Sequence, residues 1–67
     1  MKRFAVAIIN HYENLLKLEI IFASDWQDAI WLHSLSPFNS GTVFLDLAAA
    51  QAEAFNLECG LDVVEIL

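Results

Sequence analysis

After Arg3, six residues from Phe4 to Ile9 are all apolar, and Val6, Ile8 and Ile9 among them are β-branched. Such a run reads as a strand covered on both faces, or as a strand with one face against a partner. Asn10-His11-Tyr12-Glu13-Asn14 is a polar break of hairpin length. A second strand follows over Leu15 to Ala23, where Leu16, Leu18, Ile20 and Phe22 alternate with Lys17, Glu19 and Ile21. Period-2 alternation of this kind marks a half-buried strand. It predicts an antiparallel hairpin with Leu16, Leu18, Ile20 and Phe22 facing the core.

Ser24-Asp25-Trp26-Gln27 has the form of a capping box, and Asp25 and Asp28 suit the positive end of a helix dipole. A helix is expected from Asp25 to about Ser34. Trp26, Ala29, Ile30 and His33 share one of its faces, and Trp31 lies about 140° away from Trp26 at helical rotation. Leu35 to Gly41 is the clear loop, with the single Pro and one of the two Gly. Thr42 to Leu45 reads as a short strand or an extended lead-in. Asp46 is a good N-cap for a helix over Leu47 to Phe55, rich in alanine and with Leu47, Gln51, Ala54 and Phe55 on one side. Gly60 reads as a turn and Leu61 to Leu67 as a last strand.

The pattern predicts an α+β fold in the order β-β-α-α-β, a three-stranded sheet with two helices packed on one face. If the helices form a hairpin, the third strand runs parallel to the first and beside it. That makes the first strand central, which suits its apolar run. One domain covers residues 1–67: a ββα half over 1–34, a loop or extended connection over 35–45, and an αβ half over 46–67.

Composition sharpens this picture. The chain has 67 residues and is 58% apolar, against roughly 45–50% in typical globular domains. A chain so short hides only about 60% of its unfolded surface, so more apolar surface is expected than one core can hide. The longest apolar run is far below the ~20 residues of a membrane-spanning helix. A secretory signal is not expected either.

Nine acids face three bases, for a formal charge of −6. Lys2 and Arg3 stand at the start, and from Phe4 onward only Lys17 is positive. Phosphate neutralisation needs Lys and Arg, so direct nucleic-acid binding and docking to anionic lipid are not expected. A basic protein surface is the partner such charge attracts. DNA duplex charge is about one per 1.7 Å of axis, and nine acids are thin for mimicry of it.

The expected chemistry is sparse. Cys59 is alone, which excludes an internal disulfide and fits a reducing cytoplasm. Its apolar, acid-flanked setting reads as a buried structural thiol. His11 and His33 are far apart with no carboxylate at ligand spacing, so no metal or other cofactor is expected. His33 beside Ser34 or Ser36 is adjacency rather than a triad, and no nucleophile elbow or phosphate loop is present. The protein is not expected to be an enzyme.

An interaction surface is the stronger expectation. The strand face opposite the helices carries Ala5, Ala7 and Ile9, with Leu15, Lys17, Glu19 and Ile21 assigned to the same side of the second strand. An exposed apolar patch of this kind marks a partner or homodimer interface. Trp31 stands off its helix's core face, close to Asp28, and Trp is enriched at binding hot spots. The candidate partner-binding residues are therefore Ala5, Ala7, Ile9, Ile21, Asp25, Asp28 and Trp31.

The segments Arg3 to Asn10, Glu19-Ile20-Ile21, Ser24 to Ala29, Glu53-Ala54-Phe55-Asn56 and Asp62 to Ile66 together resemble small phage-encoded accessory proteins, a group that includes anti-CRISPR proteins. The resemblance is one of pattern and size over most of the chain. It carries over no individual residue. It implies a stoichiometric, non-enzymatic binder that blocks a bacterial host protein or defence complex in the host cytoplasm. The alternative is a self-associating structural or assembly protein that uses the same sheet face.

Overall fold

A computed structural model describes residues 1–67. The element order is β1 (Lys2–Asn10), β2 (Leu15–Ala23), α1 (Trp26–Leu32), α2 (Leu47–Asn56) and β3 (Cys59–Ile66). The sheet order is β2-β1-β3, so the doubly apolar strand is central, as its pattern predicts. The α+β class and the β-β-α-α-β order are those read from the sequence. Thr42 to Leu45 forms no strand.

Both strand pairs are antiparallel. The third strand is thus antiparallel to β1, not parallel as a helical hairpin requires. The connection explains the difference. α1 starts where β2 ends, and at its far end the His33 ring reaches the backbone oxygen of Lys17 at 3.2 Å. Residues 33–46 then return, and the Phe44 amide donates to Gln27 Oε1 at 2.7 Å near the start of α1. α2 therefore sets off from the same end of the sheet as α1. The loop acts as a third crossing, and the chain enters β3 beside Asn10.

Local chemistry starts and stops each element. Between β1 and β2, Asn10 Oδ1 accepts from the Glu13 amide at 3.0 Å, and Asn14 takes φ 57°, a left-handed position that Asn tolerates. The cap of α1 is Asp25, one residue later than the expected Ser24. Asp25 accepts from the Asp28 amide at 2.8 Å, and the Asp28 carboxylate in turn accepts from the Ser24 amide and hydroxyl. Gln27 is spent on Phe44 rather than on the box. Asp46 caps α2 as expected, accepting from the Ala49 amide at 2.8 Å. Gly60 lies inside β3 and not in a turn; the turn residue is Glu58, at φ 60°. A Cβ at Gly60 would stand 2.9 Å from Ile9 Cγ2, so the strand needs a glycine there for close approach.

One core lies between the sheet and the two helices. Phe4, Val6 and Ile8 of β1, Ile21 and Ala23 of β2, and Cys59, Leu61 and Val63 of β3 meet Ala29, Ile30, Phe44, Ala50 and Ala54. Alanines on the inner sides of both helices let them settle close to the bulky β1 side chains. Phe44 packs edge-on against Phe38 with centroids 4.7 Å apart. Phe55 is not on the inner side of α2, as its spacing suggested; it is 78% exposed, and α2 buries only Ala50 and Ala54. No helix is long and apolar enough to cross a membrane.

Candidate interaction surface

Register decides which side chains reach the open face of the sheet. The four-residue turn pairs Phe4 with Ile21, Ala5 with Ile20, Ala7 with Leu18 and Ile9 with Leu16. Directly paired residues share a face. Ile21, Glu19 and Lys17 therefore go under the helices with Phe4, Val6 and Ile8. Leu16, Leu18, Ile20 and Phe22 go to the open side with Ala5, Ala7 and Ile9. The alternation of β2 is real, but it points the other way from the core. β1 is apolar on both sides, so pairing alone left either face free to be covered, and the helices took the side with the larger β1 residues.

The third strand completes the surface. Val64 stands beside Ala5, Asp62 beside Ala7, Gly60 beside Ile9 and Ile66 beside Arg3. The open face is thus Arg3, Ala5, Ala7 and Ile9 down the centre, flanked by Phe22, Ile20, Leu18 and Leu16 on one edge and Ile66, Val64, Asp62 and Gly60 on the other. Leu16, Leu18, Ile20, Phe22 and Val64 are each 55–69% exposed. At roughly 200 Å² for a fully exposed residue of this size, these five alone present on the order of 600 Å², the upper end for the largest patch on a monomer. At the Gly60 end a shallow open recess of about 230 Å³ is lined by Ala7, Ile9, Leu16, Gly60, Leu61 and Asp62.

Charge is nearly absent from this face. Arg3 and Asp62 are its only charged residues, and they cancel. The other eight acids (Glu13, Glu19, Asp25, Asp28, Asp46, Glu53, Glu58 and Glu65) lie on the helices, the turns or the helix side of the strands.

Of the expected partner-binding residues, Ala5, Ala7 and Ile9 are on this face and half-buried by their neighbours. Ile21 is not; at 8% exposure it belongs to the core. Asp25 and Asp28 are on the helix side and are engaged with each other and with Ser24 at the start of α1. Trp31 is half-buried there too, its Nε1 donating to the Thr42 backbone oxygen at 3.0 Å, which ties α1 to the returning loop. The expected set is therefore split between two opposite sides of the molecule. Leu16, Leu18, Ile20, Phe22 and Val64 were missed as surface residues. The even length of the turn and the larger β1 side chains at Phe4, Val6 and Ile8 were the signals that could have found them.

The inner side of β2 carries a polar cluster. Ser34 donates to Glu19 through both its hydroxyl and, at 3.3 Å, its amide. Lys17 Nζ lies 3.8 Å from the same carboxylate and 3.2 Å from Ser34 Oγ. The Ser34 hydroxyl, chiefly, with its amide and Lys17, holds the Glu19 carboxyl below its ordinary value against a partial burial that pushes it up. His33 is 3% exposed. Its Nδ1 accepts from the Leu35 amide at 3.0 Å, which assigns the proton to Nε2 and makes Nε2 the donor to Lys17 O. Both ring nitrogens are thus occupied by backbone, and Ser34 Oγ is bonded to Glu19 instead of to the His33 imidazole. The arrangement contains no Ser–His contact of the kind a triad uses. It satisfies two polar side chains where α1 ends over an edge strand.

Cys59 is buried, and burial first, Glu58 second, pushes its thiol up, away from nucleophilic character. No group of three or more His, Cys, Asp or Glu side chains is placed to hold a metal ion. No family model, curated protein or solved structure matches this chain.

Proposed function

We propose that this chain is a non-enzymatic interaction protein whose working surface is the helix-free face of its sheet. One observation carries the reading. A three-stranded sheet presents Leu16, Leu18, Ile20, Phe22 and Val64 to solvent in one contiguous, nearly uncharged patch, while eight of the nine acids lie elsewhere. Burial of such a patch supplies the driving force for association. The acids keep the rest of the molecule soluble and attract basic surfaces. The resemblance to phage-encoded accessory proteins supports a bacterial host protein or defence complex as the target, blocked by occupation of its surface. The lone, inert Cys59 supports a cytoplasmic site of action.

The test is a comparison of tagged wild type with Leu18→Asp and Phe22→Asp, each shown by circular dichroism to be folded. Wild type should form a stoichiometric complex, with itself or with a host protein, that both variants lose. Equal complex formation by the variants would remove the sheet face from the function.

A further inference from the structure

We infer that a second copy of this chain covers the open face, in a two-fold, face-to-face dimer. The inference rests on the proposal that this face is an interface, and it puts a second copy where that proposal puts a host protein. Three observations single out a second copy.

The first is area. Two copies, each contributing on the order of 600 Å² from five side chains and more from Ala5, Ala7, Ile9 and Ile66, bury about 1,200 Å² or above. That meets the lower bound of a specific interface, about 1,200–2,000 Å² in total.

The second is charge. A basic partner would need acids on the patch, and the patch is neutral although the chain carries −6. Only an apolar occupant fits it, and this face is itself such a surface.

The third is the placement of the two charges that are there. Arg3 sits level with Phe22 and Ile66, while Asp62 sits level with Ala7 and Leu18. Both are two residues from the level of Ala5, on opposite sides. A two-fold axis crossing the strands at Ala5 lies in the interface plane, as face-to-face packing of identical sheets requires. It brings each copy's Arg3 to the level of the other's Asp62, one strand, about 4.8 Å, to the side. The same axis sets Phe22 over Leu18, Ile20 over Ile20 and Val64 over Val64, and at the β3 edge it sets Ile66 over Asp62. Each patch thus complements itself in charge as well as in apolar character. The acidic helical layers become the outer faces of the dimer.

Sedimentation velocity of the full chain over a micromolar concentration series tests this. Wild type should sediment as a dimer of 7.5 kDa chains. Leu18→Asp should weaken the dimer more than 100-fold, since each dimer would bury two unpaired carboxylates. The charge pair provides a second measurement that leaves the apolar patch intact. Arg3→Asp and Asp62→Arg alone should each weaken the dimer about three- to tenfold, and the double swap should restore it. A wild type that stays monomeric overturns the inference, as does a dimer that Leu18→Asp and the charge swaps leave unchanged. A monomer that nonetheless captures a host protein through Leu18 and Phe22 overturns the second copy while the interaction reading stands. A monomer with no capture that depends on the face overturns both.

Discussion

The two faces of this sheet are built from nearly the same residue types and have opposite fates. Under the helices, Phe4, Val6, Ile8, Leu61 and Val63 are almost fully enclosed, and the polar groups at the edge, Lys17, Glu19 and His33, are each bonded. On the other side, Leu16, Leu18, Ile20, Phe22 and Val64 are as apolar and remain more than half exposed. The difference lies in what can cover them. Two short helices with alanine inner faces cover one side of the three-stranded sheet, and none of the five elements lies over the other. Alternation in β2 thus separates two faces without telling which is covered, because β1 is apolar on both sides and leaves either side of the sheet open to the helices.

The largest expected contrast is between equivalent truncations on the two sides. Ile8→Ala or Ile30→Ala should cost about 2–5 kcal/mol in chemical denaturation, because each leaves a cavity in a closed core. Leu18→Ala should cost less than about 1 kcal/mol in the dissociated chain, where its side chain is 69% exposed. Equal losses at dilutions that disfavour association would mean that the open face is covered within one chain.

A smaller effect probes the helical cover itself. Asp46→Ala removes the acceptor of the Ala49 amide and should destabilise the fold by about 1 kcal/mol, read as a lower denaturation midpoint. The open-face residues should become no more accessible to hydrogen exchange than the core does, since α2 packs only on the inner side.

The smallest effect concerns the polar edge under α1. Glu19 is held below its ordinary carboxyl value chiefly by the Ser34 hydroxyl. A carboxylate with a depressed folded-state value contributes stability above its unfolded value and loses it as pH falls through the folded one. Glu19→Gln should therefore lower the thermal midpoint slightly at neutral pH, and the gap from wild type should close on acidification below pH 4.5. A gap that persists at low pH would assign the effect to packing and not to charge.

Much of this was legible in the chain. The apolar run from Phe4 to Ile9 placed the central strand, the polar break at residues 10–14 placed the hairpin, and β2 was read with its observed ends. Asp46 marked the start of α2 because a carboxylate before an alanine-rich stretch satisfies free amides. Ala5, Ala7 and Ile9 were read as the open face because alternation assigns them to one side of β1. These are local signals, carried by residues within a few positions of one another. The direction of β3, the inward turn of Ile21 and the exposure of Leu16, Leu18, Ile20 and Phe22 depended on contacts distant in sequence. The return of residues 33–46 along α1, the pairing across the turn and the choice of the larger β1 side chains for the helical side decided them together. Local pattern sets which residues can share a face; only the closing of the chain around one core sets which face is left open.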